Sequence, residues 1–160
     1  MEAIVYSQTG FIHLVSAVVA LITGTAVLLF KKGSKLHIKL GYTYIGSMLL
    51  VNITAFMIYR LFGGFGIFHY AALVSLLTVL GGAIPAIFRI PKNNWYDLHF
   101  SLMYWSVVGL YGAFAAEILT RIPKTPFLGM VGLATTIIML SGGLYFGYKK
   151  EEWEQLLSLD

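Results

Sequence analysis

The chain has 160 residues, of which 58% are hydrophobic and only 11% are charged, and its formal net charge is +4. Soluble domains carry about 25% charged residues, so this composition is typical of a protein that lies in a membrane. Because the chain has no cysteine, disulfides, thiolate metal sites, iron–sulfur clusters and covalent c-type haem attachment are excluded.

Five stretches are long and apolar enough to cross a bilayer, which takes about 20 residues in a helix. In chain order they cover residues 11–30, 40–59, 67–88, 99–120 and 126–148. The connections are short, so neighbouring helices are predicted to be antiparallel. We therefore predict an all-α membrane protein with five transmembrane helices. A single transmembrane domain covers residues 1–148, and a charged cytoplasmic tail covers residues 149–160.

The distribution of basic residues predicts the orientation. Eight of the eleven Lys and Arg residues fall on the side of the predicted membrane that holds residues 31–39, and three fall on the other side. Cytoplasmic loops of membrane proteins carry the excess of Lys and Arg. We therefore expect the N-terminus outside and the C-terminus in the cytoplasm. Topology accounts for these lysines, so no nucleic-acid partner is expected.

The four histidines each lie at the start of a different predicted helix. His13 and His69, the outer histidine pair, start helices that run inward from the outer surface. His37 and His99, the inner histidine pair, start helices that run outward from the cytoplasmic surface. Alternate helices of a four-helix bundle are diagonal neighbours, so each pair is predicted to point across the bundle axis.

A weak internal repeat accompanies these histidines. The segment that ends at His13 resembles the segment that ends at His69, at an offset of 56, and Leu36-His37 matches Leu98-His99 at an offset of 62. Internal repeats are common in membrane folds. The first four helices are therefore predicted to form a pseudo-symmetric bundle of two repeated hairpins, about residues 10–59 and 66–120, with the fifth helix alongside.

Paired histidines of this kind suit a haem iron with two axial imidazoles, which changes oxidation state with little rearrangement. Cationic side chains are expected to bind the haem propionates at the two membrane faces, and the candidates are Lys35, Lys39, Arg60 and Arg121. Glu117 follows His99 by eighteen residues on the same helix face, about 27 Å along the axis. It is a candidate proton acceptor near the outer histidine pair.

The four histidines in two layers resemble the transmembrane di-haem cytochrome b family, which includes ascorbate-reducible carriers and bacterial quinol-linked relatives. This resemblance implies one or two haem b groups, with His13 and His69 on the outer haem and His37 and His99 on the inner one. It implies transmembrane or quinol-linked electron transfer, with a quinol or a redox protein as partner. The chain also resembles an uncharacterised group of predicted bacterial inner-membrane proteins. This resemblance implies a place in a bacterial inner (plasma) membrane and no activity.

Two alternatives stay open at this point. His13, His69 and Glu117 form a two-histidine, one-carboxylate set that suits a non-haem zinc or iron site, with hydrolysis as its chemistry. Alternatively, the histidines are interfacial residues of a structural or assembly subunit. In every interpretation the lipid bilayer is a partner, and an oligomer or a partner subunit is compatible with so small a bundle.

Overall fold

A computed structural model describes residues 7–59, 63–120 and 126–157 of the chain. These residues form five helices: α1 Gln8–Leu29, α2 Lys35–Ala55, α3 Ile67–Phe88, α4 Trp95–Leu119 and α5 Phe127–Leu157. The predicted all-α class is confirmed for this part of the chain. The helix predicted over residues 67–88 has the same bounds in the structure.

Serine caps decide where the first two helices begin. The Ser7 hydroxyl accepts a hydrogen bond from the Gly10 backbone N–H at 3.1 Å, which satisfies one of the free donors at the start of α1. The Ser34 hydroxyl accepts a hydrogen bond from the His37 backbone N–H at the start of α2, also at 3.1 Å. As a result α2 begins at Lys35 rather than at residue 40, and Lys35 and Lys39 lie in a helix instead of a loop.

Other predicted bounds also need correction. Helix α2 ends at Ala55 rather than at residue 59, and α4 begins at Trp95 rather than at residue 99. Helix α5 continues to Leu157 through most of the predicted tail. The reason is the same in the last two cases. Hydropathy marks only the apolar part of a helix, whereas the backbone hydrogen bonds of the helix continue into polar sequence.

Within the described residues, four helical segments are long and apolar enough to cross a membrane: α1, α3, α4 and Phe127–Lys149 of α5. Large apolar side chains are exposed on these segments, among them Ile22, Leu77 and Leu144. Since the helices span the membrane, we assign this apolar surface to contact with the lipid bilayer. Helix α2 carries two lysines in its first two turns and stays a predicted fifth span.

The chain divides into two compact units, one that ends at Val107 and one that begins at Val108, within α4. The core of the first unit is built around Tyr44, which is 0% exposed, together with Ala20, Met48 and Val79. Gly24 of α1 lets this large ring approach, because a Cβ atom built on Gly24 would lie 2.8 Å from the Tyr44 Cε2 atom. Small residues at such contacts allow the backbones of membrane helices to come close.

The second unit pairs the end of α4 with α5. Here Gly142 faces Val108, since a Cβ atom on the glycine would lie 2.7 Å from the valine Cγ1 atom. Ala116 of α4 and Ala134 of α5 are both buried. Small side chains on both helices therefore make this contact close as well.

Candidate functional site

All four histidines lie in the first unit and start helices, as their spacing predicts. His37 is in the first turn of α2 and His69 in the first turn of α3, whereas His13 and His99 lie in the second turns of α1 and α4. His69 is 3% exposed, and the other three are half-buried. Side chains at this depth need hydrogen-bond partners or ligands for both ring nitrogens.

His99 of the inner pair is oriented by α3. Its Nδ1 atom lies 2.9 Å from the carbonyl oxygen of Gly82. A carbonyl oxygen only accepts, so Nδ1 carries the proton and Nε2 carries the lone pair. A backbone carbonyl on Nδ1 is the usual way in which proteins fix a metal-binding imidazole with Nε2 as the ligand atom.

His37, the other inner histidine, offers a nitrogen that nothing satisfies. Its Nδ1 atom is buried and has no hydrogen-bond partner within the described part of the chain. His37 precedes the apolar part of α2. Burial lowers its pKa most, and the charges of Lys32 and His99 lower it further, whereas a hydrogen bond to the Val27 carbonyl raises it. The imidazole therefore favours its neutral form, which is the form that binds metals. His99 is therefore one of the groups that influence the protonation of His37.

Lys32 is a component of this region that the sequence analysis did not select. Its Nζ atom donates to the carbonyl oxygens of Val27 and Leu28, both at 2.8 Å, and so caps the last turn of α1. Burial lowers the pKa of the lysine. A lysine just after a helix is a recognisable capping signal, but its closeness to His37 depends on how α1 and α2 pack.

The predicted propionate ligands divide into two groups. Lys35 and Lys39 lie in the first two turns of α2 on either side of His37, and both are exposed. Their position suits anions that reach the inner histidine pair from the membrane surface. Arg60 and Arg121 lie outside the described residues.

His13 of the outer pair contacts α2. Its Nδ1 atom lies 2.9 Å from the Thr54 hydroxyl oxygen. That hydroxyl has two backbone carbonyl oxygens at 2.6 and 3.0 Å, which can only accept its proton. The Thr54 oxygen therefore accepts from His13, and the tautomer with the lone pair on Nε2 is favoured. Thr54 was not predicted, because its partner lies 41 residues away in the sequence.

His69 accepts a hydrogen bond at Nδ1, whereas His13 donates one from that atom. Its Nδ1 atom accepts a hydrogen bond from the backbone N–H of Gly66 at 3.0 Å, so the side chain caps its own helix. A neutral imidazole that accepts at Nδ1 carries its proton on Nε2. The Nε2 atom is buried without a hydrogen-bond partner among the residues that the structure describes.

These tautomers test the outer pair as haem ligands. A ligand atom must offer a lone pair to the iron. The favoured His13 tautomer fits this requirement at Nε2, whereas His69 presents an N–H group there. Ligation by His69 through Nε2 would break its hydrogen bond from Gly66, so the outer pair does not fit a haem in this arrangement.

Glu117 lies in the second unit, in the last turns of α4, and is half-buried. Its backbone carbonyl accepts a hydrogen bond from the Thr120 hydroxyl at 3.1 Å. Over residues 7–59, 63–120 and 126–157, no three His, Cys, Asp or Glu side chains are grouped so as to hold a metal ion. The non-haem alternative with His13, His69 and Glu117 stays a prediction.

A buried polar contact links α2 to α4 within the first unit. The Tyr44 hydroxyl and the Ser106 hydroxyl are 2.8 Å apart, in residues 62 positions apart. Each lies seven residues after an inner histidine, on the same helix face. The sequence analysis did not predict this contact, because its two residues are 62 positions apart.

A family model described as "Predicted membrane protein (DUF2306)" matches residues 10–145. No curated protein matches the chain, and no solved structure does. The match agrees with the resemblance to an uncharacterised group of membrane proteins and gives no support to the resemblance to di-haem cytochrome b. The length of the match shows that the chain belongs to the predicted membrane protein family DUF2306.

Proposed function

We propose that this membrane protein transfers electrons and binds haem b through the inner histidine pair, His37 and His99. The observation that carries the proposal is the state of these two rings. His99 is held through Nδ1 with a lone pair on Nε2, and His37 has a buried Nδ1 atom without a partner in the described residues. The two rings come from α2 and α4, which the Tyr44–Ser106 hydrogen bond holds together two turns further along both helices. Two imidazoles of this kind suit the axial positions of a haem iron.

The residues around the pair have separate roles in this proposal. The Gly82 carbonyl orients His99, and burial keeps His37 neutral. Lys35 and Lys39 supply positive charge for the propionates at the membrane surface. A bound haem would supply a reversible one-electron couple, and the protein sets its position and its surroundings.

The repeat and the orientation belong to the same proposal. Equivalent positions of α1 and α3, at the offset of 56, are buried alike: Ser16 and Ala72, Thr23 and Val79, Val27 and Ala83. Tyr44 and Ser106, which are in contact, are 62 residues apart, and this is the offset that relates α2 to α4 in the repeat. Both observations support two repeated hairpins. The bias of eight basic residues against three supports an outer N-terminus, with all five helices as spans. The resemblance to predicted bacterial inner-membrane proteins supports that location.

The partners are part of the proposal too. A quinol or a redox protein would exchange electrons with the haem, and a partner subunit would complete so small a bundle. Glu117 would accept a proton if a quinol were oxidised at the outer side. A second haem on His13 and His69 is predicted by the placement of the histidines and by the resemblance, and the hydrogen bond of His69 does not favour it.

The test is a reduced-minus-oxidised absorption spectrum of the protein purified in mild detergent from haem-supplemented cells. We expect a Soret band and a sharp alpha band, with His37→Ala and His99→Ala each losing that haem. Thr78→Ala is the control, because this hydroxyl bonds only the Val74 carbonyl of its own helix among the described residues and the variant should keep its haem. A colourless wild type, or full haem content in both histidine variants, would overturn the proposal.

A further inference from the structure

The Nε2 atom of His69 is a buried donor without an acceptor. The side chain is 3% exposed, and no atom of the described chain accepts a hydrogen bond from Nε2. The backbone N–H of Gly66 occupies Nδ1 and so fixes the proton on Nε2. A buried N–H group without a partner is costly and therefore rare in native proteins.

Aromatic rings restrict how an acceptor can reach this donor. Tyr59 stacks on the His69 ring at 4.9 Å between centroids, and Phe65 stacks on it at 4.6 Å. Both rings are nearly parallel to the imidazole plane, at 25° and 28°, so they pack against its faces and not against its Nε2 edge. The acceptor must therefore approach in the plane of the imidazole, at its Nε2 edge.

The surroundings decide which kind of acceptor fits. A metal cation is excluded by the proton on Nε2. An anion would lose its hydration among aromatic side chains and gain only a neutral N–H donor, which does not offset that loss. A neutral carbonyl oxygen on a flat, lipid-soluble ring accepts in plane and is compatible with aromatic neighbours.

We propose that the outer end of the bundle is a binding site for a quinone-type ring carbonyl, to which His69 donates from Nε2, and that His69 is not a haem ligand. The site combines a donor with a fixed proton, a flat aromatic surround and a position at the first turn of a membrane-spanning helix. The proposal deepens the quinol-linked form of the proposed function and rests on it only for the redox use of the bound molecule. The binding itself does not depend on haem at the inner pair.

The first experiment determines the tautomer. We would record the imidazole nitrogen signals of the full chain in lipid nanodiscs with ¹⁵N-labelled histidine. The His69 signals are identified by their loss in His69→Gln. We expect a protonated Nε2 and an unprotonated Nδ1. A proton on Nδ1, or signals broadened by iron, would overturn the proposal.

The second experiment measures the affinity for decylubiquinone by calorimetry in the same nanodiscs. We expect His69→Phe to weaken binding about tenfold, or about 1.4 kcal/mol, which is the upper range for one neutral hydrogen bond. The amide nitrogen of His69→Gln lies near the position of Nε2, so this variant should stay within about threefold of the wild type. No binding by the wild type, as expected if only a water satisfies Nε2, would overturn the proposal, and so would unchanged affinity in His69→Phe.

Haem content separates this proposal from the proposed function. His69→Gln keeps a donor but cannot replace an axial histidine, so we expect it to retain all the haem of the wild type. Loss of one haem equivalent in His69→Gln would show that His69 is a ligand and would overturn the proposal. If the wild type is colourless, the proposed function fails. The His69 tautomer and the decylubiquinone affinity still decide the proposal about His69 in that case. The same two measurements on the wild type and on His69→Gln decide it if His69→Phe does not fold.

Discussion

The Tyr44 hydroxyl donates a hydrogen bond to the Ser106 hydroxyl at 2.8 Å, between two fully buried helix faces. The direction follows from Ser106, whose own proton goes to the Met103 carbonyl oxygen at 2.8 Å. The contact lies two turns from both inner histidines, so it fixes α2 against α4 near the proposed haem ligands. It therefore links the stability of the bundle to the geometry of the inner histidine pair.

Removal of this hydrogen bond should destabilise the protein. We expect Tyr44→Phe to lower the free energy of unfolding by about 1 kcal/mol, because a buried acceptor loses its donor while the ring packing is kept. A double-mutant cycle with Ser106→Ala, measured by unfolding in detergent, should give a coupling energy of about 0.6 kcal/mol or more. Additive effects of the two changes would contradict the contact.

Gly24 should tolerate no larger side chain. An alanine Cβ atom would lie 2.8 Å from the Tyr44 ring and 3.2 Å from Val107, so the helices must move apart. We expect Gly24→Ala to destabilise the protein by about 1–3 kcal/mol. Gly46→Ala is the matched control, since a Cβ atom on Gly46 of α2 meets no atom within 4 Å. Equal thermal unfolding temperatures of the two variants would argue against the close approach.

Lys32 should matter for stability and its neighbour Lys31 should not. Lys32→Ala removes the two hydrogen bonds to the last turn of α1, and we expect a loss of about 1 kcal/mol. Lys31 is exposed, so Lys31→Ala removes the same charge without that cap. Thermal unfolding in mild detergent measures the difference. A similar loss in both variants would point to net charge instead of capping.

The haem-free protein should become less stable as the pH falls below 6.5. Burial and the charges of Lys32 and His99 lower the pKa of His37 from its usual value of 6.5. Between the lowered pKa and 6.5 the unfolded chain binds more protons than the folded one, so the free energy of unfolding rises with pH in that window. The stability that the neutral His37 side chain contributes is complete above pH 6.5, and it is lost as the pH falls through the folded-state pKa of His37.

The measurement for this prediction is thermal unfolding of haem-free protein from pH 5 to pH 8. His37→Gln removes the titrating group, so its unfolding temperature should depend less on pH than that of the wild type. The contributions of other groups remain in both proteins and cancel in the comparison. Identical pH profiles would show that the His37 pKa is not lowered.

The apolar segments of this protein could be read from its sequence because lipid imposes a simple rule. A helix that crosses the bilayer needs a long run with few charges, and residues 67–88 meet this rule and form α3 with the same bounds. The start of α2 and the end of α5 were less predictable. There, a serine cap and polar helix turns extend the helix beyond its apolar part, which hydropathy does not register.

The sequence by itself determined the all-α membrane class and placed one histidine at the start of each of four helices. It could not decide what each histidine does, because that depends on hydrogen bonds to residues far away in the chain. His99 meets the Gly82 carbonyl and His13 meets Thr54 only after the helices pack. His69 accepts from Gly66 instead, so the same residue type carries its proton on a different nitrogen. Only the tertiary structure therefore separated a protonated Nε2 at His69 from a lone pair on Nε2 at His99.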